Sequence, residues 1–248
     1  MSSDHPFDRF LQRIRPSYVL AGLILFGFVL GEVASTIQLC QFASSGVCGN
    51  APSAADLLAE QNSLIVYNGT YWELFTSIFV TSSYLDAAFN AIAVLVLEYF
   101  LPIPFNKTRY FAIFFFSAIL GNLFTLLEGP AYGSAGASGG IFGLFAAAFA
   151  YSWAEEKRID LPTLVLFGLI FVTSSFLVAN NVNWIAHLGG SIGGFIAAPL
   201  LYYKVKDKLA DFSMITMSSL AFKILVWGGI VLLTAASIVQ FLVFVLIP

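Results

Sequence analysis

Charged residues are scarce in this sequence. Of its 248 residues, 10% are Asp, Glu, Lys or Arg, whereas about a quarter is typical of soluble domains. Hydrophobic residues make up 59% of the chain, and the mean hydropathy is +0.87. This composition excludes an ordinary soluble domain and requires most of the chain to lie in lipid. We expect a lipid bilayer as a partner and no nucleic acid.

Histidine is also scarce, with His5 and His187 as its two occurrences. Zinc proteases require H-E-x-x-H or a similar cluster of ligands. A histidine in the polar N-terminal tail and another in a distant apolar segment do not form such a cluster. We therefore expect no metal site and no other cofactor.

Apolar runs of near-spanning length predict seven transmembrane helices, judged against the ~20 apolar residues that a spanning helix requires. The predicted spans are 17–39, 83–100, 108–127, 138–154, 161–178, 184–203 and 219–247. The sequence therefore predicts an all-α, polytopic membrane helix bundle.

The positions of the Lys and Arg residues predict the orientation of this bundle. They form four clusters, before the first span and after the second, fourth and sixth: Arg9, Arg13 and Arg15; Lys107 and Arg109; Lys157 and Arg158; and Lys204, Lys206, Lys208 and Lys223. The alternate connections 40–82, 128–137 and 179–183 contain none. The positive-inside rule then puts the N-terminus in the cytoplasm and the C-terminus outside. We expect a multi-pass protein of a prokaryotic plasma membrane, although a eukaryotic secretory membrane also fits.

The predicted organisation has four parts. They are a cytoplasmic tail at 1–16, a six-helix core at 17–203, a cytoplasmic linker at 204–218 and the seventh helix at 219–248. The longest connection, 40–82, is too apolar in its second half for a solvated loop. We expect it to lie in the membrane interface, with Tyr67, Tyr71 and Trp72 at the headgroup level. Packing of the loop on the helix ends is the simpler alternative.

Both cysteines, Cys40 and Cys48, lie in this outer connection, on the oxidising side of the membrane. A disulfide bridge between them would close a short loop. Two reduced thiols fit the sequence equally well, so the pairing stays open.

A Gly-rich segment, 133–143, enters the fourth predicted span at its outer end. Within it Ser138 is flanked by Gly136 and Gly139. Glycines leave the serine uncrowded, and amides at a helix N-terminus stabilise a developing anion. Small residues also pack membrane helices. Taken alone, the segment therefore fits a packing role as well as a nucleophile.

His187 lies near the outer end of the sixth predicted span. An ionisable residue within a membrane is a candidate for function. Gly190 and Gly194 follow it at i+3 and i+7, so they share its helical face and permit close packing. Because both helices start at the outer surface, His187 and Ser138 should lie at similar depth, where a neutral imidazole can activate a serine. A structural histidine bonded to a serine across a helix interface is the alternative.

Residues 72–203 resemble the rhomboid family of intramembrane serine proteases. The segment Gly136-Ala137-Ser138-Gly139 is similar to that family's G-x-S-G motif. Ala186-His187 with Gly190 and Gly194 is similar to its A-H-x-x-G-x-x-x-G motif. The resemblance implies a six-helix core, here followed by one C-terminal transmembrane helix.

The resemblance also implies roles for individual residues. Ser138 would be the nucleophile and His187 the general base and acid of a Ser-His dyad without an aspartate. Phe142 matches the aromatic position on which the family's histidine stacks. Asn90 and the Ser138 backbone amide match the oxyanion donors, and Asp86 is a further candidate for the oxyanion site. The implied activity is that of a serine endopeptidase that cleaves transmembrane segments of membrane proteins.

Two positions depart from the family pattern. The family has H-x-x-x-N on its second helix, whereas here Asp86 precedes Asn90 by four residues, on the same face. An ionised aspartate would oppose an oxyanion, so Asp86 must be protonated, turned toward a donor or bound to another group. The second departure is Glu73, which follows Trp72 where the family's loop motif has arginine.

Other classes of protein fit the sequence less well. An aspartyl intramembrane protease needs two aspartates that share a proton, and Asp86 is the one aspartate within a predicted span. A small transporter would use Asp86, Asn90 and Glu32 as polar contacts, but no inverted repeat is evident. A catalytically impaired rhomboid-like protein that binds membrane helices is the main alternative, and Asp86 favours it mildly.

Overall fold

The structure, a computed structural model, describes residues 14–45, 57–81, 83–100, 107–154 and 183–201. Its elements are, in chain order, α1 (Pro16–Ser45), β1 (Glu60–Gln61), α2 (Asn62–Asn68), α3 (Glu73–Thr76), a 3₁₀ turn (Ser77–Phe79), α4 (Tyr84–Phe100), α5 (Lys107–Thr125), a second 3₁₀ turn (Leu126–Glu128), β2 (Gly133–Ser134), α6 (Ser138–Ala154) and α7 (Trp184–Leu201). The described part is therefore mostly helical. The all-α prediction missed one short antiparallel pair, in which β1 exchanges backbone hydrogen bonds with β2.

Five of the seven predicted spans correspond to long helices of the described residues. Most ends agree within two residues, but α1 continues beyond residue 39 to Ser45, and the third span finishes in the 3₁₀ turn Leu126–Glu128. The fifth and seventh predicted spans, the linker 204–218 and most of the N-terminal tail lie outside the described residues. The seven-helix count stays a prediction.

Length and composition identify candidate membrane spans among the described helices. Pro16–Val33 and Lys107–Glu128 are each long and apolar enough to cross a membrane. A third candidate is the pair Glu73–Phe79 and Tyr84–Tyr99, which is bent by 88°. Ser138–Ser152 and Trp184–Leu200 are shorter apolar helices. This set fits a polytopic membrane helix bundle.

Backbone contacts between glycines bring α6 and α7 together. A Cβ atom added to Gly190 would collide with the carbonyl oxygen of Gly139, and one added to Gly194 would collide with that of Gly143. A third helix, α5, also packs closely against α7, since a Cβ atom at Gly121 on α5 would lie 2.6 Å from the Ala186 carbonyl oxygen on α7. Such approaches require the absence of a side chain. The glycines therefore set the separation of the helices that carry Ser138 and His187.

The C-terminal part of the segment 57–81 packs against α1 and α5, and Phe79 lies against Gly27 on α1. Phe75 and Phe79 lie 5.8 and 6.0 Å, centroid to centroid, from the Phe115 ring on α5. Tyr67 is 73% exposed and Tyr71 48% exposed, which suits aromatic rings at a membrane surface. The expectation for Trp72 was wrong, because its side chain is only 5% exposed and is enclosed by protein.

Candidate active site

Ser138 is the first residue of α6, and the turn before it depends on one glycine. Gly136 has φ +121°, a conformation that side chains disfavour, and its N–H donates to the Ser77 carbonyl at 2.8 Å. The first α-helical hydrogen bond runs from the Ile141 N–H to the Ala137 carbonyl, at 3.2 Å. Amides of the first helical turn have no acceptor within their own helix. The Ser138 N–H therefore points away from the body of α6, at the open N-terminal end of the helix, where it can bind an anion.

His187 lies in the first turn of α7, and Asn183 caps that helix. The Asn183 side-chain oxygen accepts the Ala186 N–H at 2.8 Å, and its backbone carbonyl accepts the His187 N–H at 3.3 Å. The Asn183 side-chain amide also donates to the Thr125 hydroxyl at 3.0 Å. Sequence reasoning missed this cap, although an asparagine directly before an apolar helix is a recognised start signal. The cap therefore attaches the start of α7, which contains His187, to the end of α5.

The Ser138 hydroxyl and the His187 imidazole are in direct contact. The distance from Ser138 Oγ to His187 Nε2 is 2.9 Å. The imidazole stacks on Phe142, with ring centroids 4.3 Å apart and planes inclined by 21°, and meets the Trp184 ring edge-on at 6.1 Å. His187 is 8% exposed, whereas Ser138 is partly exposed. With its proton on Nδ1, the neutral imidazole can accept the serine proton through Nε2.

Asn90 and Asp86 lie against the turn that precedes Ser138. A Cβ atom at Gly136 would be 3.2 Å from Asp86 Oδ2 and 3.6 Å from Asn90 Nδ2. The Asn90 side-chain amide donates to Asp86 Oδ1 at 2.8 Å. Of the three alternatives for Asp86, the structure shows its carboxyl group turned toward a donor. The predicted oxyanion residues are thus brought beside the candidate nucleophile.

The remaining predicted site residues fall into two groups. Gly139, Gly190 and Gly194 line the contact between α6 and α7. Cys48 lies outside the described residues, so the pairing of Cys40 and Cys48 stays open. Within the described ranges, no group of three or more His, Cys, Asp or Glu side chains could hold a metal ion.

A second residue that sequence reasoning missed is Asn122, a buried side chain on α5. Its amide donates to the Leu74 carbonyl and to the Ser77 hydroxyl, each at 2.9 Å. Because the Ser77 carbonyl accepts the Gly136 N–H, Asn122 anchors the turn that supports Gly136. In the sequence, a lone asparagine within an apolar span was the feature that could have identified it.

The β1–β2 pair contains a buried acid in the outer loop. Glu60 lies opposite Ser134, is 2% exposed, and neither carboxyl oxygen has a hydrogen-bond partner among the described residues. Burial, and then the negative charges of Glu73 and Glu128, raise the pKa of Glu60 to about 9. The neighbouring Glu73 carboxyl group accepts the Gln61 N–H at 2.7 Å. Glu60 is therefore a neutral acid at pH 7.

We expect the buried Glu60 to lower the stability of the protein as the pH rises, and Glu60→Gln to remove this part of the pH dependence. Between the ordinary pKa of 4.5 and the raised value of about 9, the folded protein keeps the Glu60 proton and the unfolded chain releases it. The contribution of Glu60 to stability is therefore full below pH 4.5 and is lost as the pH rises toward 9. Thermal unfolding in detergent from pH 5 to 9 measures this slope. Ser134→Ala, opposite Glu60 but without an ionisable group, should keep the wild-type slope, and an equal slope in Glu60→Gln would contradict the prediction.

A sequence model of the rhomboid domain matches residues 68–204, more than half of the chain. The chain belongs to the rhomboid family. Members of this family are integral, multi-pass membrane proteins, which agrees with the apolar helices of the structure.

Curated relatives support this membership. The chain is 30% identical over 142 residues to "Putative rhomboid protease YdcA" of Bacillus subtilis (strain 168), a match that covers 56% of this chain and 71% of that protein. It is 28% identical over 170 residues to "Rhomboid protease GluP" of the same organism, covering 66% of this chain and 33% of that protein. A third relative is "Rhomboid-like protease 3" of Toxoplasma gondii, 29% identical over 143 residues, covering 55% of this chain and 53% of that protein. The chain thus spans about a third of the length of the second relative and about half of the length of the third.

Proposed function

We propose that this chain is an intramembrane serine endopeptidase with Ser138 as its nucleophile and His187 as its general base and acid. The observation that carries the proposal is the 2.9 Å contact between Ser138 Oγ and His187 Nε2. These residues lie in the first turns of two different helices that touch through glycines, so the contact belongs to the tertiary fold. Membership of the rhomboid family and relatives named as rhomboid proteases support the same activity.

In the acylation step, His187 removes the Ser138 proton as the hydroxyl oxygen attacks a substrate carbonyl. The imidazolium then donates that proton to the leaving amine. The stacked Phe142 ring limits rotation of the imidazole and keeps Nε2 on the side of Ser138. A water molecule, activated through His187 in the same way, hydrolyses the acyl-enzyme.

Two donors are available for the oxyanion of the tetrahedral intermediate. One is the Ser138 N–H at the start of α6, where the helix dipole also favours negative charge. The other is the second N–H of the Asn90 side-chain amide, since the first donates to Asp86. Both lie beside Gly136, which has no side chain to fill the space.

The proposed substrates are transmembrane segments of other membrane proteins. A peptide bond within a helix is protected by the backbone hydrogen bonds around it, so the segment must unwind before Ser138 can attack. We further propose the predicted organisation, a six-helix core at 17–203 followed by a seventh helix. In this arrangement the N-terminus is cytoplasmic, the C-terminus is outside and the dyad opens toward the outer face of a prokaryotic plasma membrane.

Reconstitution with a panel of single-span membrane substrates tests the proposal. Wild-type protein should cut at least one substrate near its membrane segment, and Ser138→Ala should not. Ser152→Ala is a matched control, because Ser152 is buried on the same helix about 21 Å further along. Cleavage that persists in Ser138→Ala, or loss of cleavage in folded Ser152→Ala, would contradict the assignment of the nucleophile.

The second candidate function is binding of membrane helices without cleavage. The Asp86 carboxyl group beside the proposed oxyanion site favours it, since a negative charge there opposes an oxyanion. The same panel separates the two functions. Wild type and Ser138→Ala would then bind substrates equally and leave all of them uncut.

A further inference from the structure

Asp86 lies beside the proposed oxyanion site, and the mechanism proposed above gives it no role. Its carboxyl group accepts the Asn90 amide through Oδ1 at 2.8 Å, while Oδ2 is directed at Gly136. The Asp86 backbone N–H donates to the Ser83 hydroxyl at 3.2 Å, so the residue is also held at the start of α4. The residue is thus held at its backbone by Ser83 and at its carboxyl group by Asn90.

The carboxyl group determines which end of the Asn90 side chain faces the turn before Ser138. An ionised carboxylate is an acceptor only, whereas a carboxamide has two N–H donors on one end and an acceptor oxygen on the other. Reversing the carboxamide would place its oxygen against an Asp86 oxygen. The bond therefore keeps Asn90 Nδ2 near Gly136, 3.6 Å from the position of a Cβ atom there.

We infer that Asp86 is a positioning residue for Asn90: by accepting one amide hydrogen it holds the carboxamide with its second N–H toward the oxyanion. The inference rests on the proposed function. Without Asp86, the Asn90 amide could rotate and present its oxygen to the developing negative charge. The benefit of an oriented donor then exceeds the repulsion from the carboxyl group.

Substitutions at Asp86 test the inference through kcat. We expect Asp86→Ala to lower kcat about tenfold, part of the 10²–10³-fold loss typical of removing an oxyanion donor. The KM should change little, because the contact acts in the transition state. Asp86→Asn keeps a side-chain oxygen that can accept the Asn90 amide, so it should retain most of the wild-type kcat.

A double-mutant cycle with Asn90→Ala separates positioning from an independent effect. If Asp86 acts through Asn90, Asp86→Ala should lower kcat no further once Asn90 is alanine. Ser83→Ala is the matched structural control, since it removes the other hydrogen bond of Asp86 and leaves the carboxyl group in place. It should alter thermal stability without reproducing the loss of kcat. A higher kcat in Asp86→Ala, an equal loss in the Asn90→Ala background, or an equal loss in Ser83→Ala would each overturn the inference.

A readout without catalysis distinguishes failure of this inference from failure of the proposed function. In Ser138→Ala protein, the Asn90 side-chain amide hydrogens should exchange slowly with water by NMR, and adding Asp86→Ala should accelerate their exchange. Unchanged exchange would overturn the positioning role alone. Wild-type protein that cuts no substrate would overturn the proposed function, whatever the exchange shows.

Discussion

Replacement of His187 by alanine is expected to lower kcat by about 10³-fold or more, because the Ser138 hydroxyl then has no base. The imidazole nitrogen lies 2.9 Å from Ser138 Oγ and has the Phe142 ring behind it. Neither Phe142 nor Trp184 can accept a proton in its place. Steady-state cleavage of a reconstituted substrate measures the loss.

The control for His187→Ala is Leu188→Ala on the same turn of α7. Leu188 is 57% exposed, so its truncation tests the helix start without entering the site. Thermal unfolding should show both variants folded, with cleavage lost in His187→Ala. If His187→Ala kept more than a tenth of the wild-type kcat, His187 would not be the base.

Gly190→Val is expected to have the second large effect, on stability and activity together. Its Cβ atom would overlap the Gly139 carbonyl oxygen, so α6 and α7 must move apart. Overpacking of this kind costs about 1–3 kcal/mol, and a 1 Å displacement of a catalytic group lowers the rate by ~10²-fold. We therefore expect a lower unfolding temperature and cleavage reduced by at least about a hundredfold.

Gly22→Val is the matched control for this substitution. A Cβ atom at Gly22, on α1, would have no neighbouring atom within 4 Å. The same glycine-to-valine change should there leave cleavage and unfolding close to wild type. Equal effects at Gly22 and Gly190 would mean that valine acts through helix propensity, and would contradict the role given to the close contact between α6 and α7.

Hydrophobic runs predicted the long helices well, because a run of apolar residues has few alternatives to a membrane helix. The placement of Ser138 and His187 near the starts of their helices also followed from sequence. Their hydrogen bond did not follow, because it depends on the separation of α6 and α7. That separation is set by Gly139 against Gly190, residues 51 positions apart.

Tertiary contacts decided the features that the sequence did not predict. Trp72 has the amphipathic ring expected at a headgroup surface, yet the fold encloses it. Asn122 reaches Ser77 across 45 positions, and periodicity gives no sign of such a partner. Glu60 looks like a solvated loop acid until its pairing with Ser134 buries it. For Asn122 and Glu60 the partners come from a distant part of the chain.

For Asp86, the residue type and the observed surroundings predict opposite effects on the oxyanion. From the sequence, a carboxyl group four residues before Asn90 is an obstacle to an oxyanion. In the structure it accepts a hydrogen bond from that asparagine, which also gives it a means of aiding catalysis. The direction of the change in kcat for Asp86→Ala decides which effect is larger.

The most direct test of the Ser138–His187 dyad is to react the folded protein with a fluorophosphonate and map the modified peptide by mass spectrometry. A serine becomes reactive toward this electrophile when a neighbouring base removes its proton. Modification is predicted at Ser138 in the wild type and should disappear in His187→Ala. Modification of another serine, or labelling of Ser138 at an unchanged rate in His187→Ala, would contradict the dyad.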